Sequence, residues 1–270
     1  MAQQIIGFIG AGNMATSLVG GMIAKGIRPA RIWMSDVSQD RLDELARQHR
    51  VHISTDNRDI AQRADVLVLA VKPQVMQAVC EALRGALGDR QPLIISIAAG
   101  ITVASLKSWL GDLPVVRCMP NTPALVQAGA TGLWADPSVS EEQKTLAGQI
   151  MASVGLSFWF AKETDLDAVT AVSGSGPAYF FLMMESMIDA ARKLGLDDQV
   201  ARQLVLQTAW GAAQLAITSE AGPDVLRQQV TSPGGTTAAA LNVFEEGGFR
   251  TLVDSALTAA RRRSEELSGQ

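Results

Sequence analysis

At 270 residues, 47% hydrophobic and 19% charged, the chain is long enough for two domains and too apolar for a disordered one. A formal net charge of −4 gives no electrostatic reason to expect nucleic acid or an anionic membrane as a partner, and the basic run Arg261–Arg263 reads as a solvated stretch near a helix C-terminus. Cys80 and Cys118 stand far apart and outside any Cys/His cluster, which excludes a disulfide framework and a zinc site, so no metal is expected.

The first apolar run, Ile5–Gly10, ends in glycine and leads into a helical pattern from Asn13 to Lys25 with Gly26 as its stop. No basic segment precedes that run, so no cleaved leader is expected and the protein reads as cytoplasmic. Arg31–Ser35 reads as a second strand, Gln39–Gln48 as a polar helix and Val51–Ile53 as a third strand. Asp65–Val71 is almost wholly apolar, as a strand buried on both faces must be. Val75–Leu87 is then a helix, Pro92–Ile97 a strand, Thr102–Leu110 a short helix and Val115–Met119 a strand. Such alternation predicts a doubly wound parallel sheet. Ala130–Ala135 and Ser157–Phe160 add two strands at its edge, flanking a helix over Glu141–Ser153.

From Thr164 the pattern changes to alanine-rich helices at Leu166–Val172, Ala178–Leu194, Asp198–Ser219, Pro223–Val230, Thr236–Glu246 and Gly248–Leu267. The expected fold class is therefore α/β plus all-α, with a Rossmann domain over residues 1–162 and a helical domain over 163–270. The longest uncharged window, Ala168–Met184, has 17 residues and is broken by Ser173-Gly174-Ser175-Gly176-Pro177, so it is no membrane span. Tyr179–Met184 is apolar all round a helix, which demands cover on every side. The chain's own core and a subunit interface both remain open as the source of that cover.

Gly10-Ala11-Gly12-Asn13-Met14-Ala15 is a G-x-G-x-x-A pattern between a strand and a helix, the context that a dinucleotide fingerprint requires. Gly10 permits the tight turn, Gly12 lets backbone approach a pyrophosphate, Ala15 allows close helix–strand packing, and the helix N-terminus supplies N–H donors. At the end of the second strand, Asp36 suits a free ribose 2′-hydroxyl, whereas Arg41 one turn later suits a 2′-phosphate. The sequence leaves the two in contest. Ala70-Val71-Lys72-Pro73 and Ser96-Ile97-Ala98-Ala99-Gly100 lie at carboxyl ends of strands, where open α/β sheets bind ligands. Lys72 suits anchoring of a phosphate or ribose as well as it suits proton donation. In the second half, Ser232-Pro233-Gly234-Gly235-Thr236-Thr237 stops one helix and opens another with hydroxyls and unpaired N–H groups, a cradle for a carboxylate or simply a capped turn.

The Gly-Gly-Thr-Thr loop, its flank Phe244-Glu245-Glu246-Gly247-Gly248-Phe249-Arg250, the stretch Ala168–Tyr179 through Ser-Gly-Ser-Gly-Pro, and Arg117-Cys118-Met119-Pro120-Asn121-Thr122-Pro123 together resemble pyrroline-5-carboxylate reductase, in that family's order along essentially the whole chain. The resemblance implies reduction of 1-pyrroline-5-carboxylate to L-proline with NADP(H), NAD(H) also being admitted, and a helical domain that binds substrate and builds an intertwined homodimer, often assembled further. It assigns the substrate to Ser232, Gly234, Gly235, Thr236 and Thr237, with Thr237 as the hydroxyl facing the imine nitrogen and the acidic Glu163 and Glu220 near the pocket. It assigns the cofactor to Ile9, Gly10, Ala11, Gly12, Asn13, Met14, Ser35, Asn57, Ala70, Val71, Lys72, Pro73, Ile97, Ala98 and Ala99, with Asp36 the departure that favours NAD(H). Position and charge stabilisation suffice for this chemistry. His49 and His52 read as surface or strand-flanking residues. A β-hydroxyacid dehydrogenase, the nearest rival, needs a lysine early in the second domain, and after Ser173 the first is Lys193. A non-catalytic dinucleotide sensor would need no Gly-Gly-Thr-Thr loop. Other imine reductases share the chemistry.

Overall fold

The apolar runs singled out above form one eight-stranded sheet in a computed structural model that describes residues 4–269. In chain order β1 (Ile6–Ile9), α1 (Asn13–Ala24), β2 (Ile32–Ser35), α2 (Gln39–His49), β3 (His52–Ser54), α3 (Asn57–Ala61), β4 (Val66–Leu69), α4 (Pro73–Leu87), β5 (Leu93–Ser96), α5 (Val103–Leu110) and β6 (Val115–Met119) alternate, and β7 (Gly129–Ala135), α6 (Glu141–Met151) and β8 (Gly155–Trp159) follow. The order across the sheet is β3-β2-β1-β4-β5-β6-β7-β8, parallel through β6. β7 runs antiparallel to β6, and β8 returns parallel to β7 after the α6 crossover. Strand order reverses between β1 and β4, which places a ligand crevice at their carboxyl ends.

Alternation along the strands sorts the core into two layers. Ile6, Phe8, Val66, Val68, Leu93, Ile95 and Val116 face α1 and α6, whose Leu18, Met22, Leu146 and Ile150 are buried with them. Ile9, Leu67, Leu69, Ile94 and Val115 face α4 and α5 through Met76, Cys80, Leu83 and Leu106. The short α3, which the sequence pattern did not reveal, sits so close on β1 that a Cβ at Gly7 would lie 2.3 Å from Ile60 Cγ2.

The remaining elements are α7 (Asp165–Val169), α8 (Gly176–Lys193), α9 (Asp198–Thr218), α10 (Pro223–Gln229), α11 (Thr236–Glu246) and α12 (Phe249–Leu267). A wide π turn over Thr170–Gly174 separates α7 from α8, where one helix to Val172 was expected. Contacts divide the chain at 175/176 rather than at 162/163, and the described residues from Ala260 onward belong with the first unit. The reason lies in packing. Leu166 is fully buried, a Cβ at Gly132 of β7 would lie 2.8 Å from Val169, and the buried Asp167 accepts the Ser264 hydroxyl at 2.6 Å. Thus α7 and the last turns of α12 complete the sheet unit.

The second unit, Gly176–Ala259, is all-helical. α8 and α9 pack together across a turn in which Gly195, at φ +93°, lets the Leu196 N–H reach Ala191 O at 3.2 Å. Among the described residues of this unit only Gly176, Ala201 and Val205 are buried. Phe180, Phe181 and Leu182 are each more than 60% exposed, so the apolar α8 is not covered by the chain's own core. A helical unit this open cannot bury enough surface to stand alone and presents its apolar face outward. No helix among the described residues is long and apolar enough to cross a membrane.

Candidate active site

The turn after β1 is built on Gly10, whose φ of +95° and whose Cβ position, 2.9 Å from Ala70 O, admit no side chain. Its N–H donates to Ser35 O at 2.9 Å, tying β1 to β2 at their carboxyl ends. Gly12 is the N-cap of α1, and nothing lies within 4 Å of the place a Cβ would take there. Neither a side-chain cap nor an acidic residue occupies the first turn of α1, so its N–H groups and positive dipole end face outward, as a pyrophosphate needs. α4 starts the same way behind Lys72, with Pro73 at its first position and no acidic side chain. By contrast α2, α3, α5 and α6 are capped by Ser38, Asp56, Thr102 and Ser140. The two open helix ends flank the strand-order reversal. These residues fit a bound dinucleotide.

Around that crevice the structure gathers Ile9 to Met14, Asp36, Ala70 to Pro73 and Ile97 to Ala99 at the carboxyl ends of β1, β2, β4 and β5. Asp36 is braced, its Oδ2 accepting the Ala11 N–H at 2.9 Å and its Oδ1 the Ser38 N–H at 3.1 Å. Arg41 donates from Nε to Ala11 O and from Nη2 to Asn13 Oδ1 at 3.1 Å. Ser35 is fully buried, and its hydroxyl donates to Phe8 O at 3.2 Å, which makes it a sheet tie. Asn57 opens α3 behind the Asp56 cap. Lys72 is exposed and Ala98 buried at 5% exposure, while Gly100, at φ +73°, lies against Leu267.

Glu163 is held by two structural partners. Its Oε1 accepts the Val103 N–H of α5 at 2.8 Å and Arg117 Nη1 at 3.0 Å, and the Arg117 side chain is only 4% exposed. Glu163 is a helix-terminal charge paired with a buried cation. Arg117 and Asn121, quoted in the motif but given no role, are its structural centre. Asn121 Nδ2 donates to Ser173 O in the π turn at 3.0 Å, and its Oδ1 accepts the Ala130 N–H of β7 at 2.8 Å. A charged residue inside an apolar strand was the available signal for Arg117, since burial of an ion requires a partner. Burial pushes the Cys80 thiol up to about 12 and the Cys118 thiol higher still, so neither offers a thiolate.

In the helical unit, the loop before α11 turns on Gly234 at φ +70°, and the Gly235 N–H donates to Ser232 O at 3.0 Å. Gly235 is the N-cap of α11 and lends no side chain, and the first turn holds no acidic residue. Among the described helices with a defined N-cap, only α1, α4 and α11 open in this unblocked way. Thr237 is half-buried in that first turn, whereas Ser232, Gly234 and Thr236 are exposed. Glu220 is exposed in the turn between α9 and α10. The flank is explained as well. Glu245 takes a forked bond from Arg250 at 2.8 to 3.0 Å across the Gly247-Gly248 turn, and Phe244 meets Phe249 edge-on at 5.6 Å.

Comparison with known proteins covers both units. Residues 163–267 match the family model described as pyrroline-5-carboxylate reductase dimerisation, and residues 5–100 match one described as NADP oxidoreductase coenzyme F420-dependent. The chain is 53% identical to pyrroline-5-carboxylate reductase of Pseudomonas aeruginosa over 100% of its own length and 99% of that protein. The solved structure of a pyrroline-5-carboxylate reductase from Coxiella burnetii superposes with a TM-score of 0.93 at 48% identity, covering 98% of each chain. A Plasmodium falciparum pyrroline carboxylate reductase with NADP bound superposes with a TM-score of 0.87 at 31% identity over 99% of each chain.

Proposed function

Because the chain belongs to the pyrroline-5-carboxylate reductase family, we propose that it reduces 1-pyrroline-5-carboxylate to L-proline, the closing step of proline synthesis, with NADPH as donor and NADH as an alternative. The observation that carries the reading to this chain's own residues is the unblocked N-terminus of α11, an anion cradle set in the Gly-Gly-Thr-Thr loop. There the backbone N–H groups of Thr236 and Thr237 receive the substrate carboxylate, Ser232, Gly234 and Gly235 shape the loop, and the Thr237 hydroxyl donates toward the imine nitrogen. Glu220 offers a carboxylate to the ring nitrogen as it gains positive charge. Gly10 to Asn13 hold the pyrophosphate, and Ile97 to Ala99 give the nicotinamide a flat backbone seat.

When bound, the reduced nicotinamide supplies one hydride to the ring carbon of the C=N bond, and the nitrogen takes up one proton. Catalysis then rests on alignment and on stabilising charge at the nitrogen, with no nucleophile or metal in the scheme. Glu163 contributes by bracing α5 and Arg117. The exposed apolar face of α8 and α9 is covered by a second copy of the chain, which makes the working enzyme a homodimer or a larger homo-oligomer.

The test is Thr237→Ala. Turnover should fall by about one to three orders of magnitude while NADPH affinity stays within about twofold. Undiminished turnover removes Thr237 from the chemistry.

A further inference from the structure

We propose that Arg41 is the residue that lets this chain accept a dinucleotide carrying a phosphate on its adenosine 2′-oxygen, at a site where Asp36 alone would turn that phosphate away. The inference rests on the cofactor reading above and assigns the specificity of that site to one side chain.

An acidic residue at the end of the second Rossmann strand ordinarily reads a free ribose hydroxyl and repels a 2′-phosphate. Here each Asp36 oxygen accepts a bond from the loop, Oδ2 from the Ala11 N–H at 2.9 Å and Oδ1 from the Ser38 N–H at 3.1 Å. Its first service is to fix the backbone of the glycine turn. Arg41 completes the brace from the other side. Its Nε donates to the carbonyl of the same Ala11, and its Nη2 donates to Asn13 Oδ1 at 3.1 Å. The planar guanidinium therefore lies across the turn, half-buried, at the mouth of the unblocked α1 terminus.

Two features separate this cation from a simple clamp. First, it has no carboxylate within ion-pair distance among the described residues, whereas its neighbour at the same end of the sheet, Arg58, is forked onto Asp56 at 2.8 to 3.0 Å. Second, its acceptors are a carbonyl and an amide oxygen, which hold the guanidinium in place without neutralising it. An oriented, unneutralised guanidinium is the preferred partner of a phosphate, because its fork matches two phosphate oxygens at once. A reader of a bare ribose hydroxyl has no need of that charge. With Arg41 beside it, Asp36 no longer sets the sign of the field at the ribose, and both forms of the cofactor are admitted with the phosphorylated one favoured.

The experiment titrates the full-length protein calorimetrically with two fragments, adenosine 2′,5′-bisphosphate and 5′-AMP, for wild type, Arg41→Ala and Arg41→Gln. The glutamine variant retains an N–H donor for the Ala11 carbonyl while removing the charge and the bond to Asn13, so it answers the question should the alanine variant fold poorly. In both variants the preference for the bisphosphate over AMP, taken as the ratio of dissociation constants, should fall by about tenfold or more. The NADPH-to-NADH ratio of kcat/KM should fall in parallel. A preference left within about twofold of wild type, whether both fragments weaken together or neither does, overturns the proposal and leaves Arg41 a loop brace. The calorimetric arm needs no imine, so a protein that bound as expected yet reduced no pyrroline substrate would refute the proposed reaction and leave the Arg41 assignment standing.

Discussion

Removing both members of the Arg117–Glu163 pair should cost no more than removing either one alone. Arg117 Nη1 lies 3.0 Å from Glu163 Oε1, and the two side chains are 4% and 18% exposed, so the arginine is much the more deeply buried. Breaking a buried pair from one side ordinarily costs about 3–5 kcal/mol, because the surviving charge is left without its counterion. Arg117→Met leaves Glu163 with the Val103 N–H and some access to water, which puts the loss near the low end, about 3 kcal/mol. Glu163→Gln leaves a buried cation on the interior strand β6 with only an amide oxygen, about 3 kcal/mol or more. The double variant replaces the pair with an apolar side chain and a neutral acceptor that still serves α5, and should lose about 3 kcal/mol rather than about 6. Urea unfolding at one fixed protomer concentration measures all four proteins, since the stability of an assembly depends on that concentration. Losses that add to within about 0.5 kcal/mol would refute the coupling. The same four proteins separate a brace from a substrate ligand. If Glu163 acts only through α5 and Arg117, both single variants shift KM for the imine alike. A rise confined to Glu163→Gln would return that carboxylate to the pocket.

Two further outcomes are expected. Burial holds the His49 imidazole below its ordinary value of 6.5, and its Nε2 is buried without a partner. The unfolded chain therefore takes up a proton first as pH falls through about 6.5, so wild type loses stability on the acid side of that point and His49→Gln flattens this loss. Parallel pH–stability curves for the two proteins between about pH 5 and 8 would refute it. Phe181 and Leu182 are 62% and 63% exposed on α8. Replacing either with Asp should shift the sedimenting species toward monomer at micromolar concentration, and an unchanged mass would mean that α8 is not covered by a second copy.

Most of the sheet was legible because strands buried on two faces must be apolar runs, and β1, β4, β5 and β6 are such runs. What escaped depended on partners distant in the chain. The five residues of α3 carry too few apolar positions to show a helical period, and their place is set by Gly7, fifty residues earlier. α12 reads as one amphipathic helix, yet its last turns belong to the sheet unit through Ser264 and the buried Asp167, a contact that no local pattern announces. For the same reason the boundary drawn at 162/163 follows the change of period rather than the packing. Tyr179–Met184 demanded cover, but hydropathy cannot say which chain supplies it.

The candidate site was legible through something missing rather than through its ligands. Ser38, Asp56, Thr102, Ser140 and Asp197 are residues that cap helices, and each accepts an N–H from the helix it opens. At the start of α1, α4 and α11 stand Gly12, Lys72 and Gly235 instead, and no acidic side chain fills the turn that follows. Leaving a cap out costs about 1 kcal/mol per helix, and the cost is offset when an anion occupies the donors. A fold that satisfies five helix starts with its own side chains and leaves these three open has the arrangement that the proposed function needs, phosphates at the sheet crevice and a carboxylate at the Gly-Gly-Thr-Thr loop.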